Sequence, residues 1–89
     1  MTTRATTRGV CRLRACPRTG RLLVTFAPAD PRDPGQTLPL LRDWVATFCR
    51  PRKAIWRKRE RCWSLPSHMR AAVEDWSAAW DMDVREVDV

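Results

Sequence analysis

Residues 54–66 read AIWRKRERCWSLP, and this stretch decides the fold that we predict for the chain. Apolar and aromatic residues flank a charged centre, which is typical of a β-hairpin with a turn at Lys58–Arg61. Such a turn places Trp56 directly opposite Trp63 on one face of the hairpin. An aromatic pair beside arginines can stack on nucleic-acid bases, or it can belong to a small core.

The phase of the hairpin favours the second of these interpretations. Ala54 and Leu65 alternate in step with the two tryptophans, so we expect the pair to face the core, with base stacking as the alternative. The opposite, open face of the hairpin would then show Ile55, Arg57, Cys62 and Ser64.

A second hairpin is predicted nearer the N-terminus. Residues 9–16 alternate between two sets, with Val10, Arg12 and Arg14 on one side and Cys11, Leu13 and Ala15 on the other. Residues 17–20 read PRTG, a turn sequence, and residues 21–27 are rich in β-forming side chains. Residues 28–35 hold three prolines and are predicted to be a loop.

Two helices complete the pattern. The first is predicted to begin at a Thr37 cap and to end at Arg50, before a proline. Its buried line would be Leu38, Leu41, Val45 and Phe48, with Trp44 at the edge of the core. The second is predicted to open at Pro66 with Ser67 as its cap, and its apolar stripe comprises Met69, Ala72, Val73, Trp76 and Trp80.

The predicted order is ββαββα with a possible short final strand, which gives an α+β fold of two layers. Two helices would pack on one face of an antiparallel sheet made of two hairpins. We assign residues 1–8 to a flexible basic arm and residues 9–82 to a single domain. Residues 83–89 would form an acidic tail or a short edge strand.

This arrangement resembles the HARP domain, a small DNA-binding module that accompanies annealing helicases. The resemblance covers about residues 22–82. It includes an aromatic residue, a short charged turn, a tryptophan seven positions after the first, then an apolar residue, a proline and a helix. The residues that match this pattern one by one are Trp56, Trp63, Leu65 and Pro66, and Phe26 fits the strand that precedes them.

The chain also departs from that family at the hairpin. Family members usually have glycine where this chain has Lys53, and often Asp-Pro where it has Arg57-Lys58. These differences make the hairpin tip more basic. The resemblance implies an α+β fold and binding of fork-like DNA. These 89 residues include no helicase motor, so we expect only the binding part of the family's activity.

Charge is distributed unevenly along the chain, whose formal net charge is +7. Residues 1–70 carry 16 basic and four acidic side chains, whereas residues 71–89 carry one basic and six acidic side chains. A basic body with an acidic end predicts a surface that binds polyanions.

Seven of the cations lie within 12 residues around the Trp hairpin, and the first hairpin adds more. Clustered arginine neutralises phosphates and can grip them with two hydrogen bonds, although a solvated basic face is the alternative. The predicted nucleic-acid-binding residues are Arg50, Arg52, Lys53, Arg57, Lys58, Arg59, Arg61, Arg12, Arg14, Arg18 and Arg21.

Enzyme chemistry has little support in the sequence. His68 is the single histidine, and no glycine-rich phosphate loop is present, so we predict no enzyme activity and no cofactor. The spacing of the four cysteines does not match standard zinc pairs, so we expect reduced, partly buried thiols. Zinc binding and a disulfide remain the alternatives for Cys11, Cys16, Cys49 and Cys62.

We therefore predict a stand-alone nucleic-acid-binding module that contacts backbone or fork- and junction-like structures without base specificity. DNA is favoured over RNA as the partner. The alternative is a protein-interaction module, such as a small phage-type inhibitor or accessory subunit, that acts through Glu74, Asp75, Asp81, Asp83, Glu86 and Asp88. The sequence shows neither a membrane-spanning stretch nor a secretory signal, so we expect a cytoplasmic protein without a membrane partner.

Overall fold

Five strands form one sheet, and both helices pack on the same face of it. The computed structural model describes residues 9–50 and 53–87, and the predicted arm at residues 1–8 lies outside these ranges. The elements are β1 (Gly9–Ala15), β2 (Leu22–Pro28), α1 (Pro34–Phe48), β3 (Ile55–Arg57), β4 (Cys62–Leu65), a 3₁₀ turn (Ser67–Met69), α2 (Arg70–Ala79) and β5 (Asp83–Glu86). This is the predicted α+β order, with the final strand present.

The strand order across the sheet is β3-β4-β2-β1-β5. The two hairpins are antiparallel, as predicted, and β2 pairs with β4 to join them. The last strand departs from the predicted antiparallel sheet. It pairs with β1 in the parallel orientation, so the sheet is mixed. A strand that follows a crossover helix can return to the sheet in this orientation, whereas a tight turn cannot produce it.

The Trp hairpin has the predicted geometry. Residues 58–61 form its turn, and Trp56 is the direct partner of Trp63. Their ring centroids are 5.1 Å apart with an interplanar angle of 63°. The aromatic pair is therefore an edge-to-face contact across two strands, which contributes to hairpin stability beyond simple burial.

The first helix starts earlier than the sequence predicts. Its N-cap is Asp33, whose carboxylate accepts a hydrogen bond from the Gly35 N–H at 2.9 Å, and Pro34 occupies the first turn. Both residues suit these positions, because aspartate caps orphan N–H groups and proline lacks one. The predicted cap at Thr37 is therefore wrong, and the loop before the helix ends at Asp33.

The buried face of α1 is also rotated from the predicted one. Leu40, Trp44 and Phe48, spaced four residues apart, are buried against the sheet. Leu38, Leu41 and Val45 are exposed, so their predicted place in the core is wrong. The apolar surface of this helix is wider than its contact with the sheet, and the large Trp44 ring takes the centre of that contact.

The second helix begins after a 3₁₀ turn rather than at a Ser67 cap. Neither the 3₁₀ turn nor α2 has a side-chain cap, so that prediction is wrong. Val73 and Trp76 are buried, as expected of the stripe, while Ala72 is exposed. The two helices are joined by Asp43 of α1, whose carboxylate accepts hydrogen bonds from the indole N–H groups of Trp76 at 2.9 Å and Trp80 at 2.6 Å.

The core is an aromatic cluster around Trp44, which is 0% exposed. Its ring centroid lies 4.4 Å from that of Phe48, 4.9 Å from Phe26, 5.0 Å from Trp76 and 5.8 Å from Trp63. The indole N–H of Trp44 donates no hydrogen bond within the described part of the chain. Packing of the rings, rather than polar bonding, therefore holds this residue.

We expect Trp44→Ala to lower the free energy of unfolding by about 3–5 kcal/mol, because it leaves a cavity at the centre of the cluster. The matched control is Val45→Ala on the exposed side of the same helix, which we expect to change it by less than about 0.5 kcal/mol. Urea unfolding followed by circular dichroism measures both changes. Similar losses in the two variants would contradict the assigned orientation of α1.

Candidate nucleic-acid interface

The sheet face opposite the helices carries arginines from three strands. Arg57 of β3 pairs with Cys62 of β4, and Arg12 of β1 lies between Thr25 of β2 and Arg85 of β5. Continuing the β2–β4 register by one residue places Cys62 beside Thr25. One row across the sheet therefore reads Arg57, Cys62, Thr25, Arg12 and Arg85.

Strand spacing sets the size of this row. Neighbouring strands lie about 4.8 Å apart, so Arg57 and Arg12, which are three strands apart, have Cα atoms separated by roughly 14 Å. Arg14 lies two residues beyond Arg12 and therefore on the same face. We call these four residues, Arg12, Arg14, Arg57 and Arg85, the open-face arginines.

The floor between these arginines is closed. Leu23, Cys62 and Ser64 point to the open face, yet all three are buried. We expected Cys62 and Ser64 to be shown on this face, and long side chains cover them instead. Arg21 is one of these, because its Nε donates to the Ser64 hydroxyl at 2.6 Å and its guanidinium also donates to the Ser64 carbonyl at 3.3 Å.

A shallow depression of about 240 Å³ lies among these residues. Arg12, Arg14, Thr25 and Cys62 line it, and so does the acidic residue Glu60. Within residues 9–50 and 53–87, no carboxylate forms an ion pair with Arg12 or Arg14. Their guanidinium groups therefore keep their hydrogen-bonding capacity for a ligand.

The other two open-face arginines are partly neutralised. Arg57 contacts Glu60 at 3.3 Å, and Arg85 contacts Asp83 at 2.8 Å. Both pairs are substantially exposed, and exposed pairs of this kind contribute at most about 1 kcal/mol. A phosphate could displace either carboxylate at small cost.

The structure does not bring all the predicted basic residues together. Arg18 lies in the β1–β2 turn, at the end of the sheet opposite the β3–β4 turn that carries Lys58 and Arg59. Arg61 ends that turn on the helix side of the sheet, in a cleft beside Trp56. Arg50 and Lys53 are exposed between α1 and β3, and Arg52 lies outside the described residues.

The two tryptophans differ in burial. Trp63 packs against the core, as predicted. Trp56 lies on the same side of the sheet as the helices, as predicted, but it is 49% exposed and is not part of the buried core. It lies on β3, one of the two edge strands of the sheet.

The acidic end of the chain is folded into the domain. Arg70 at the start of α2 pairs with Glu74 and with Glu86, and Asp83 pairs with Arg85. These three members of the predicted acidic set therefore have basic partners within the protein. Asp88 lies outside the described residues.

Sequence reasoning missed Arg85 and the exposure of Trp56. Arg85 joins the open-face row only because β5 pairs with β1, a contact between distant parts of the chain. The alternation of residues 83–87 could have indicated a strand, but nothing local specifies its neighbour. The exposure of Trp56 depends on how much of the edge strand β3 the helices cover, which the local sequence does not specify.

The four cysteines are free thiols in different environments. Burial raises the pKa of Cys11, Cys49 and Cys62. The negative charge of Glu60 adds to the rise in the pKa of Cys62, and the positive charges of Arg14 and Arg57 oppose it. Hydrogen bonds from the Thr19 side chain and from the backbone of Thr19 and Arg18 lower the pKa of Cys16.

These differences predict the order of thiol labelling, because the thiolate is the reactive form. We expect iodoacetamide to modify Cys16 first, with a rate that rises at a lower pH than for an ordinary thiol. Cys11 and Cys62 should react slowest, since both are buried and have a raised pKa. Peptide mass spectrometry over a pH series measures this order, and labelling of Cys62 as fast as Cys16 would contradict it.

Comparison with known proteins adds no relative: no protein-family model, curated protein or solved structure matches the chain. The resemblance to the HARP domain thus stays a prediction that rests on the hairpin residues. Within the described ranges, no three histidine, cysteine or acidic side chains group as a metal site requires. Neither described helix is long and apolar enough to cross a membrane.

Proposed function

We propose that this chain is a nucleic-acid-binding module that holds the phosphate backbone of DNA on its open sheet face. The observation that carries the proposal is the sheet face without helices, on which Arg12 and Arg14 of β1 lie between β2 and β5. Both arginines lack an acidic partner among the described residues. The net charge of +7 supplies the long-range attraction that brings a polyanion to this surface.

The chemistry of the surface favours contacts with phosphate over contacts with base edges. Guanidinium groups bind phosphate oxygens through paired hydrogen bonds, and such contacts position a protein without reading sequence. Both helices lie on the opposite side of the sheet, with their buried side chains packed against it. Neither is placed to enter a groove of DNA held on the open face, so we propose binding without base specificity.

The finer part of the proposal concerns the form of the DNA. The HARP-like hairpin implies fork-like or junction-like DNA, and the β3–β4 turn with Lys58 and Arg59 extends the basic surface around the sheet edge. The protein-interaction alternative through the acidic end has less support, because Arg70 and Arg85 already pair with three of its carboxylates.

We expect the affinity of the protein for a DNA duplex to fall steeply as salt rises, because bound phosphates release counterions. The double variant Arg12→Gln, Arg14→Gln should bind more weakly. Each lost phosphate contact should reduce the slope of log affinity against log salt by about 1, and thus by about 2 for the pair. Fluorescence anisotropy with labelled DNA, repeated over a salt series, measures both quantities.

The matched control is Arg32→Gln, Arg42→Gln, which removes the same charge from the exposed loop before α1 and from α1 itself. We expect this control to retain a salt slope close to that of the unmodified protein. Equal losses in the two double variants would show that net charge, rather than the open face, determines binding. An affinity that does not change between low and moderate salt would contradict the proposal as a whole.

A further inference from the structure

A cleft of about 350 Å³ lies on the helix side of the sheet, between α1 and the Trp hairpin. Its volume is within the range of small-ligand pockets, which extends from about 300 to 1,000 Å³. Three aromatic rings line it, those of Phe26, Trp56 and Trp63, and Leu41 of α1 also contributes. The polar side chains that line it from this side of the sheet are those of Thr37 and Arg61.

Trp56 lines this cleft with a ring that is held in place but half exposed. Its ring meets Trp63 edge-to-face at 5.1 Å, and Trp63 is in turn held at 5.8 Å from Trp44 in the core. Trp56 is therefore supported from one side, yet it is 49% exposed. A large ring that is fixed in position and half exposed offers a flat surface to a ligand with little loss of conformational freedom.

Arg61 adds a positive charge beside this aromatic surface. It has a φ of 53°, in the left-handed region, and ends the β3–β4 turn. Lys58 and Arg59 precede it in the same turn, and both are exposed. Arg57 points to the open face, so the cations run from the open face around the edge strand β3 to the cleft.

We infer that this cleft holds one unstacked base of a single-stranded segment, with the base on Trp56 and the adjoining phosphate at Arg61. Aromatic rings beside arginine bind single-stranded nucleic acid in this way, because every base has a face that can stack. The cations at the edge of β3 give the strand a path from the open face to the cleft. This inference rests on the proposed function, since the open-face arginines would hold the rest of the nucleic acid.

The test compares three DNA probes by fluorescence anisotropy with the full chain at low salt. The first is a blunt duplex, and the second is the same duplex with a single-stranded overhang of about eight adenines, a length that one single-strand-binding domain can cover. The third carries the same overhang without its bases. We expect the second probe to bind most tightly and the abasic overhang to lose this advantage.

We expect Trp56→Ala to weaken binding of the adenine overhang by about 10-fold, as loss of one stacking contact predicts, without weakening the blunt duplex. Trp56→Phe should retain most of the affinity, because it keeps a ring on which the base can stack. The control is Leu38→Ala on α1, which is 50% exposed and lines neither the cleft nor the open-face depression. It should leave the affinity for the overhang within about twofold of the unmodified protein.

The outcomes separate this inference from the proposed function. If the unmodified protein binds the blunt duplex but Trp56→Ala binds the adenine overhang as tightly as the unmodified protein does, the cleft holds no base and the inference is wrong. If the unmodified protein binds none of the probes, the proposed function itself fails. If Trp56→Ala does not fold, the adenine and abasic overhangs still decide the question on the unmodified protein, and equal affinities for them overturn the inference.

Discussion

The ring of Trp44 contacts both layers of this domain, the helices and the sheet. It packs against Phe48 of its own helix, Phe26 and Trp63 of the sheet, and Trp76 of the second helix. A small domain buries a limited fraction of its surface, so large aromatic side chains supply a substantial part of its stability. The contacts of this one ring therefore join both helices to the sheet.

The position of this cluster determines which surface is available for binding. Because strand side chains alternate between faces, placing Cys11 and Leu13 in the core forces Arg12 and Arg14 to the other side. The helices cannot cover that side, since the aromatic cluster holds both on the same face. The uncovered arginine face is thus a direct consequence of the aromatic core, whatever ligand it binds.

The Trp hairpin connects the two sides of the molecule. Trp63 belongs to the core, while Trp56, one strand further out, lies beyond the cover of the helices and lines a cleft. The turn between them carries cations at the edge of the sheet, where the open face and the helix side meet. A strand pair that is anchored at one ring and exposed at the other is well suited to present a rigid aromatic surface.

The sequence by itself determined the local elements with some accuracy. Alternation at residues 9–15 placed each side chain on its correct face, and the turn at Lys58–Arg61 correctly paired Trp56 with Trp63. These features depend on neighbouring residues and on the two-residue period of a strand. The α1 prediction failed in its first turn and in its buried face, because Leu38, Leu41 and Val45 lie beside Leu40 and Trp44 on one broad apolar surface.

Only the tertiary structure decided which part of that surface is buried, which tryptophan is exposed and where β5 pairs. Each depends on contacts between residues far apart in the chain, and no local pattern encodes the edge of a sheet or the reach of a helix across it. The same holds for the candidate site. The sequence identified the arginines as a set, but the sheet divided them between two faces and two ends, and left Arg12 and Arg14 on the open face, on the strand between β2 and β5.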